Sequence, residues 1–179
     1  MTDAPRGNSN YPTAYRIGIG RRSELADAFR ELGMSKPLIV TDPGITKLHW
    51  FEGLVSATSA GVFFDVHPNP TGSDVEAGVK AYLDGEHDGI VLIGGGSAMD
   101  VGKCIALVAR NPGDVFAYED VGDNWKQADP DKIAPMIAMP TTAGTGSEVG
   151  RAIVIDDERD HSKKIIFHAK MQPSLVIAD

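Results

Sequence analysis

"LIGGGSAMDVGK", Leu92–Lys103, opens on aliphatic residues, passes through three consecutive glycines and a serine, and continues in a helix-like pattern. If Leu92 and Ile93 end a strand and a helix starts near Ser97 or Ala98, then Gly94, Gly95 and Gly96 stand where an open parallel sheet holds its ligands, beyond the C-terminal strand ends. Backbone N–H groups at a helix N-terminus, helped by the helix dipole, make an anion site. Glycine there lets a diphosphate approach the main chain closely and permits positive φ. Ser97 is placed to cap the helix or to donate its hydroxyl. The spacing matches neither the spaced-glycine dinucleotide fingerprint nor a Walker loop, so the three glycines alone serve equally well as a tight turn.

The segments around this stretch decide the fold. Upstream, "GIVLIG" is a short aliphatic run, and "KPLIVTD", "AGVFFDV", "APMIAMP" and "SLVIAD" are of the same kind. Such unalternated β-branched runs are expected of parallel strands covered on both faces. "TAYRIGIG" alternates weakly and reads as a further strand. Between the strands lie helical patterns. "SELADAFRELG" carries an apolar stripe of Leu25, Phe29 and Leu32, with Ser23 as its expected cap and Gly33 as its stop. Leu48–Ala57 reads as a softer helix. Thr71 with Asp74 three positions on fits a capping box, ahead of a face of Val75, Val79, Tyr82 and Leu83. Met99, Cys104, Leu107 and Val108 give the helix after the glycines its apolar positions.

Strand and helix alternating in this rhythm imply right-handed crossovers and a doubly wound α/β domain with a parallel sheet. Asn111–Ile133 is polar and reads as a surface excursion with little regular structure beyond a turn at Phe116–Glu119. "RAIVIDDERDHSKKIIFHA" holds two β-rich runs around a charged turn and is expected to form a hairpin. Residues 1–12, rich in Asn, Gly and Pro, read as a flexible arm, with one domain over 13–179.

Composition sets limits on function. Among 179 residues, 42% are hydrophobic and 23% charged, which is ordinary globular composition. The net charge of −8 argues against general affinity for nucleic acid or anionic membranes, although a local site could still hold one small anion. No stretch resembles a secretory signal or approaches a membrane span, so a cytoplasmic location is the expectation. Cys104 is the single cysteine, which leaves no disulfide framework; it is expected to be a buried thiol.

A second loop raises the value of the first. "MPTTAGTGSEV", Met139–Val149, also follows a strand and is rich in Thr, Gly and Ser. Ordering so many hydroxyls and unencumbered N–H groups is costly unless they bind something. Both loops would stand at the same edge of the sheet. By spacing alone, Asp100 and Lys103 form an i,i+3 surface pair in the first turns of the helix.

Together "GGGSAMDVGK" and "PTTAGTGSEV", with "VTDPG" and "PNPT" in the right order, resemble the iron-containing, or group III, alcohol dehydrogenases over about Tyr15–Asp179. The resemblance implies an N-terminal Rossmann-like α/β domain that binds a nicotinamide dinucleotide and a helical C-terminal domain that holds a divalent metal, iron or zinc. It implies that Gly95, Gly96 and Ser97 contact the pyrophosphate. Thr141, Thr142 and Thr145 would line the adenosine side and the phosphates, Asn69 would reach the cofactor, and Lys164 would lie near its ribose and phosphates. Asp100 would stand close to the nicotinamide end. Asp42 resembles the acid that accepts from the adenosine ribose 2′-OH, which favours NAD over NADP; by itself it is equally a turn residue before Pro43. Gly150 departs from the pattern, since relatives often carry threonine after "GSEV".

The family's metal ligands are an aspartate and three histidines, all beyond the position of Asp179. His49, His67, His87, His161 and His168 form no close pair or triad in the sequence, so no metal site and no catalytic residue is expected here. The implied function is the cofactor-binding half of an NAD-dependent alcohol dehydrogenase acting on a small alcohol or aldehyde, as a homodimer whose open N-terminal strand edge invites pairing. A glycerol or glycerol-phosphate dehydrogenase, a dehydroquinate synthase-like enzyme and a non-catalytic nucleotide-binding module are the alternatives.

Overall fold

The computed structural model describes residues 7–9 and 12–179. Seven strands form the main sheet: β1 (Gly7–Ser9), β2 (Ala14–Ile17), β3 (Leu38–Val40), β4 (Gly61–Phe63), β5 (Ile90–Gly94), β6 (Met136–Pro140) and β9 (Leu175–Ala178), in the order β1-β2-β9-β6-β5-β3-β4. All neighbours run parallel except β1 and β2. The aliphatic runs of β3, β5, β6 and β9 are buried on both faces, whereas the edge strand β4 is only partly covered, and the pleat divides the buried residues. Ile90 and Leu92 of β5 join Leu38, Val40, Met136 and Ala138 on one face, while Val91 and Ile93 join Ile39, Ile137 and Met139 on the other.

Each face is covered by two helices. Helices α1 (Leu25–Leu32) and α2 (Phe51–Thr58) bring Leu25, Phe29, Phe51 and Leu54 to the second face. Helices α3 (Gly72–Asp84) and α4 (Gly96–Val108) bring Tyr82, Val101 and Ile105 to the first. This is the doubly wound arrangement expected of alternating strands and helices. The α3 capping box forms as its sequence predicts: Thr71 Oγ1 accepts from Asp74 N, and Asp74 Oδ2 accepts from Thr71 N at 2.9 Å. Leu83, assigned to the apolar face of α3, instead lies 48% exposed.

The hairpin is also present, as β7 (Ala152–Asp157) and β8 (Ser162–Phe167) in a separate two-stranded sheet. Its Ile153, Ile155 and Ile166 pack on Cys104, Leu107 and Val108, which encloses α4 between hairpin and sheet. Cys104 is buried, as expected.

Three expectations need amendment. Ser23 does not cap α1: Arg21–Glu24 form a 3-10 turn first, and the Ser23 hydroxyl donates back to the Gly20 carbonyl at 2.7 Å. The excursion at 111–133 has an apolar underside. It buries Val115, Tyr118 and Ala128 against the hairpin, because α4 offers an apolar third side that the chain must cover. The flexible arm assigned to 1–12 lies partly outside the described residues, and within it Gly7–Ser9 pair with β2, where Arg21 Nη1 donates to the Gly7 carbonyl and Asn8 Oδ1.

Candidate dinucleotide site

The C-terminal ends of β3, β5, β6 and β9 open on one edge, and the glycine loop sits at its centre. Gly94 ends β5 at φ 142°, a backbone conformation open to glycine. Gly95 is the N-cap of α4, which begins at Gly96 with no side-chain cap, so Ser97 does not cap it. The reason is geometric: the chain turns into the helix two residues earlier than a serine cap requires, and the first-turn N–H groups are left without intrahelical partners. They border a cleft of about 380 Å³ lined by Asp42, Pro43, Gly44, Val66, His67, Pro68 and Gly95–Ala98.

The second loop meets the first. Thr141 N donates to the Gly94 carbonyl at 3.0 Å. A Cβ placed on Gly96 would stand 2.8 Å from Thr145 Cγ2, and one on Gly95 3.3 Å from Thr142 Oγ1. The two loops are therefore in van der Waals contact, and glycine is what permits it. On the other side Thr141 borders a hollow of about 250 Å³ with Arg22, Leu48, Trp50, Ile93, Ile177 and Asp179.

What holds the second loop is a pair of charged side chains on α4. Spacing predicts that Asp100 and Lys103 form a surface pair; the structure overturns this for Lys103, which is 0% exposed. Its ammonium donates to the Ser147 carbonyl and, at 2.9 Å, to the Gly150 carbonyl. Burial pulls its pKa down to about 8, against the opposing pull of the Asp100 carboxylate. Asp100 Oδ1 accepts from Ser147 Oγ at 2.8 Å and Oδ2 from Val154 N at 3.3 Å. Burial raises its carboxyl pKa, and these two hydrogen bonds oppose the rise. Tyr15 adds a tie from β2, donating to Glu148 Oε1 at 3.1 Å; burial and the adjacent carboxylate lift its pKa to about 12.

The sequence-assigned residues thus divide into groups. Asp42, Gly95, Gly96 and Ser97 share the cleft. Asp42 Oδ1 accepts from Gly44 N at 2.8 Å and Ile45 N at 3.2 Å, so the carboxylate both shapes its turn and borders the cleft. Thr142 and Thr145 lie against the glycines, and Thr141 faces the neighbouring hollow. Asn69 sits at φ 55° with its Oδ1 accepting from Lys163 Nζ at 3.4 Å. Asp100 is occupied by the second loop and the hairpin. Lys164 pairs with Asp160 at 3.2 Å and Glu119 at 3.8 Å, on the hairpin rather than in the cleft lining. Sequence reasoning passed over two residues: Lys103 as a brace, and His67 as a cleft residue. A lysine set among the apolar residues Val101, Cys104, Ile105 and Leu107 of α4 was the available sign for Lys103.

The chemistry of these groups fits a dinucleotide: free N–H groups and hydroxyls for a diphosphate, and a carboxylate for ribose hydroxyls. It does not fit a metal ion, since among the described residues no three His, Cys, Asp or Glu side chains come together.

Comparison with known proteins agrees with this geometry. The family model described as iron-containing alcohol dehydrogenase matches residues 12–179. Choline dehydrogenase of Bacillus subtilis (strain 168) is 39% identical over 155 residues, 83% of this chain and 38% of that protein. NAD-dependent methanol dehydrogenase of Bacillus methanolicus is 32% identical over 173 residues, 94% of this chain and 44% of that protein. The crystal structure of sulfoacetaldehyde reductase from Bifidobacterium kashiwanohense in complex with NAD+ superposes with a TM-score of 0.86 at 32% identity, covering 94% of this chain and 44% of that one. The chain spans about two fifths of the length of these relatives. It belongs to the iron-containing alcohol dehydrogenase family.

Proposed function

We propose that this chain binds NAD in the cleft at the N-terminus of α4, beside the contact of the two loops, and forms the cofactor-binding part of a metal-dependent alcohol dehydrogenase. In that enzyme a hydride passes between the nicotinamide ring and a small alcohol or aldehyde. The carrying observation is the contact of the Gly94–Ser97 loop with Thr142 and Thr145 at the uncapped N-terminus of α4. The N–H groups of Gly96 and Ser97 receive the diphosphate, with Thr142 and Thr145 hydroxyls beside it. Asp42 accepts from the adenosine ribose and repels a 2′-phosphate, so NAD is preferred to NADP. The hollow beside Thr141, with Trp50, Leu48 and Ile177 on its walls and Arg22 and Asp179 at its polar side, suits the adenine ring. Asn69 lies toward the hairpin, and Asp100 and Lys103 serve by fixing the second loop, while Lys164 steadies the hairpin. Bound NAD supplies the hydride acceptor.

The relatives that name NAD support this reading, as does the NAD+ complex of the similar fold. A cytoplasmic location and a homodimer formed through the open edge of β1 complete the proposal. Fluorescence titration with NADH tests it. Gly96→Ala should weaken binding by about tenfold or more, because its Cβ would force Thr145 away. A folded wild-type chain that leaves NADH fluorescence unchanged at millimolar cofactor would overturn it.

A further inference from the structure

His67 stands in the same cleft as Asp42 and the α4 N-terminus, yet nothing above uses it. Its Nδ1 lies 2.7 Å from Asp74 Oδ1, and Asp74 is the capping-box carboxylate of α3, with its side chain only 7% exposed. An ionised carboxylate only accepts, so Nδ1 carries the proton and the ring is oriented by a partner that is itself fixed by Thr71. Nε2 is the nitrogen left over; the nearest carboxylate, Asp65 Oδ1, is 4.0 Å away, beyond hydrogen-bond reach.

We propose that His67, oriented by Asp74, is a proton-controlled ligand for a phosphate of the bound dinucleotide, donating from Nε2 when the ring is charged. This rests on the dinucleotide reading of the cleft. The charge around the cleft favours such a group. Asp42 lines the cleft, Asp74 and Asp65 flank His67, and the hairpin's Lys163 is engaged with Asn69 and Asp156. With a neutral imidazole the cleft lining offers a diphosphate N–H dipoles and hydroxyls but no positive charge. The hydrogen bond to Asp74 and that residue's charge raise the His67 pKa, slight desolvation opposes them, and Asp65 adds a smaller rise, so the ring stays charged to higher pH than an unpartnered imidazole.

Calorimetric titration of the chain with ADP-ribose, which keeps the diphosphate, and with adenosine, which lacks it, tests this. ADP-ribose should bind about fivefold tighter at about pH 6 than at about pH 8.5, adenosine equally at both. In His67→Gln, which keeps a polar side chain that does not titrate, the ADP-ribose preference for acid pH should vanish. The imidazole's own titration, followed by NMR, should move to higher pH when ADP-ribose is bound, by the reciprocity of linkage. Wild-type chain that binds ADP-ribose with the same pH slope as His67→Gln overturns the role of His67 alone. A folded chain that binds neither ADP-ribose nor NAD+ at any pH overturns the dinucleotide reading and this inference with it.

Discussion

A lysine with no exposed surface destabilises a folded chain unless its ammonium protons find acceptors, and at Lys103 two of those acceptors are carbonyls of a loop 44 and 47 residues away. Replacing it as Lys103→Met removes the desolvation cost but leaves the Ser147 and Gly150 carbonyls without that donor. We expect a net loss of about 1–3 kcal/mol in chemical denaturation, together with weaker NADH binding. The sign of the pH effect is fixed by the direction of the shift. Below pH 8 the ammonium is charged in both states and the penalty is fully present. Between about 8 and 10.5 the unfolded chain binds more protons at this site than the folded one, so stability rises with pH. Tyr15, held near 12, acts in the opposite direction only above its ordinary 10.0. The buried Cys104 thiol, pushed up by its burial, opposes this rise in wild type and Lys103→Met alike, so wild type should show the more positive slope of stability against pH between about 8 and 10; equal slopes for both would refute the assignment. This role was hidden in the sequence because the partners are backbone atoms far along the chain. Gly95, Gly96 and Asp42 were legible because their signal is local: a strand end, a turn and a helix start within a few residues.

Elements were legible wherever burial imposed a pattern. The β3, β5 and β6 runs are apolar on both faces, and α3 announces its start with a capping box. The 3-10 turns between Val115 and Lys132 follow no period; the first is set by the apolar surface that α4 and the hairpin leave to be covered, and the other two bury no residue of their own. The start of α1 was misread because a polar residue before an apolar stripe also suits a 3-10 turn. Element packing also sets the height of the site. A Cβ on Gly102 would stand 2.2 Å from Leu92 Cδ2, so glycine lets α4 lie directly on β5 and brings its N-terminus level with Thr145. Gly102→Val should cost about 1–3 kcal/mol by overpacking. Because it tilts α4 against the sheet, NADH affinity should fall too, although residue 102 lies outside the cleft lining. Circular dichroism melts and NADH titration on the same variant separate the two effects; lost stability with undiminished affinity would show that the helix shifts without carrying its N-terminus.

Across the whole molecule, parallel strands bring loops from distant parts of the sequence to one edge, and this is why two loops separated by more than forty residues meet beside the cleft. The molecule as a whole is acidic, with a net charge of −8, and the ligand proposed for it is an anion. Binding through clustered lysines and arginines would weaken steeply with salt, as counterions compete for the phosphates. Here the cleft lining contains no lysine or arginine, and the proposed contacts are short-range N–H and hydroxyl hydrogen bonds, while the long-range field is repulsive. Screening therefore weakens little of the attraction and removes some of the repulsion. At about pH 8.5, where His67 is expected to be neutral, the NADH dissociation constant should change by less than about threefold between roughly 50 and 500 mM NaCl, and the direction should be toward tighter binding. Near pH 6, where the imidazolium adds a screened attraction, the trend should flatten or reverse. A chelator should change neither result, since among the described residues no metal-ligand cluster borders the cleft. A dissociation constant that rises tenfold with salt at the alkaline pH would mean that cations, rather than the α4 N-terminus, hold the diphosphate.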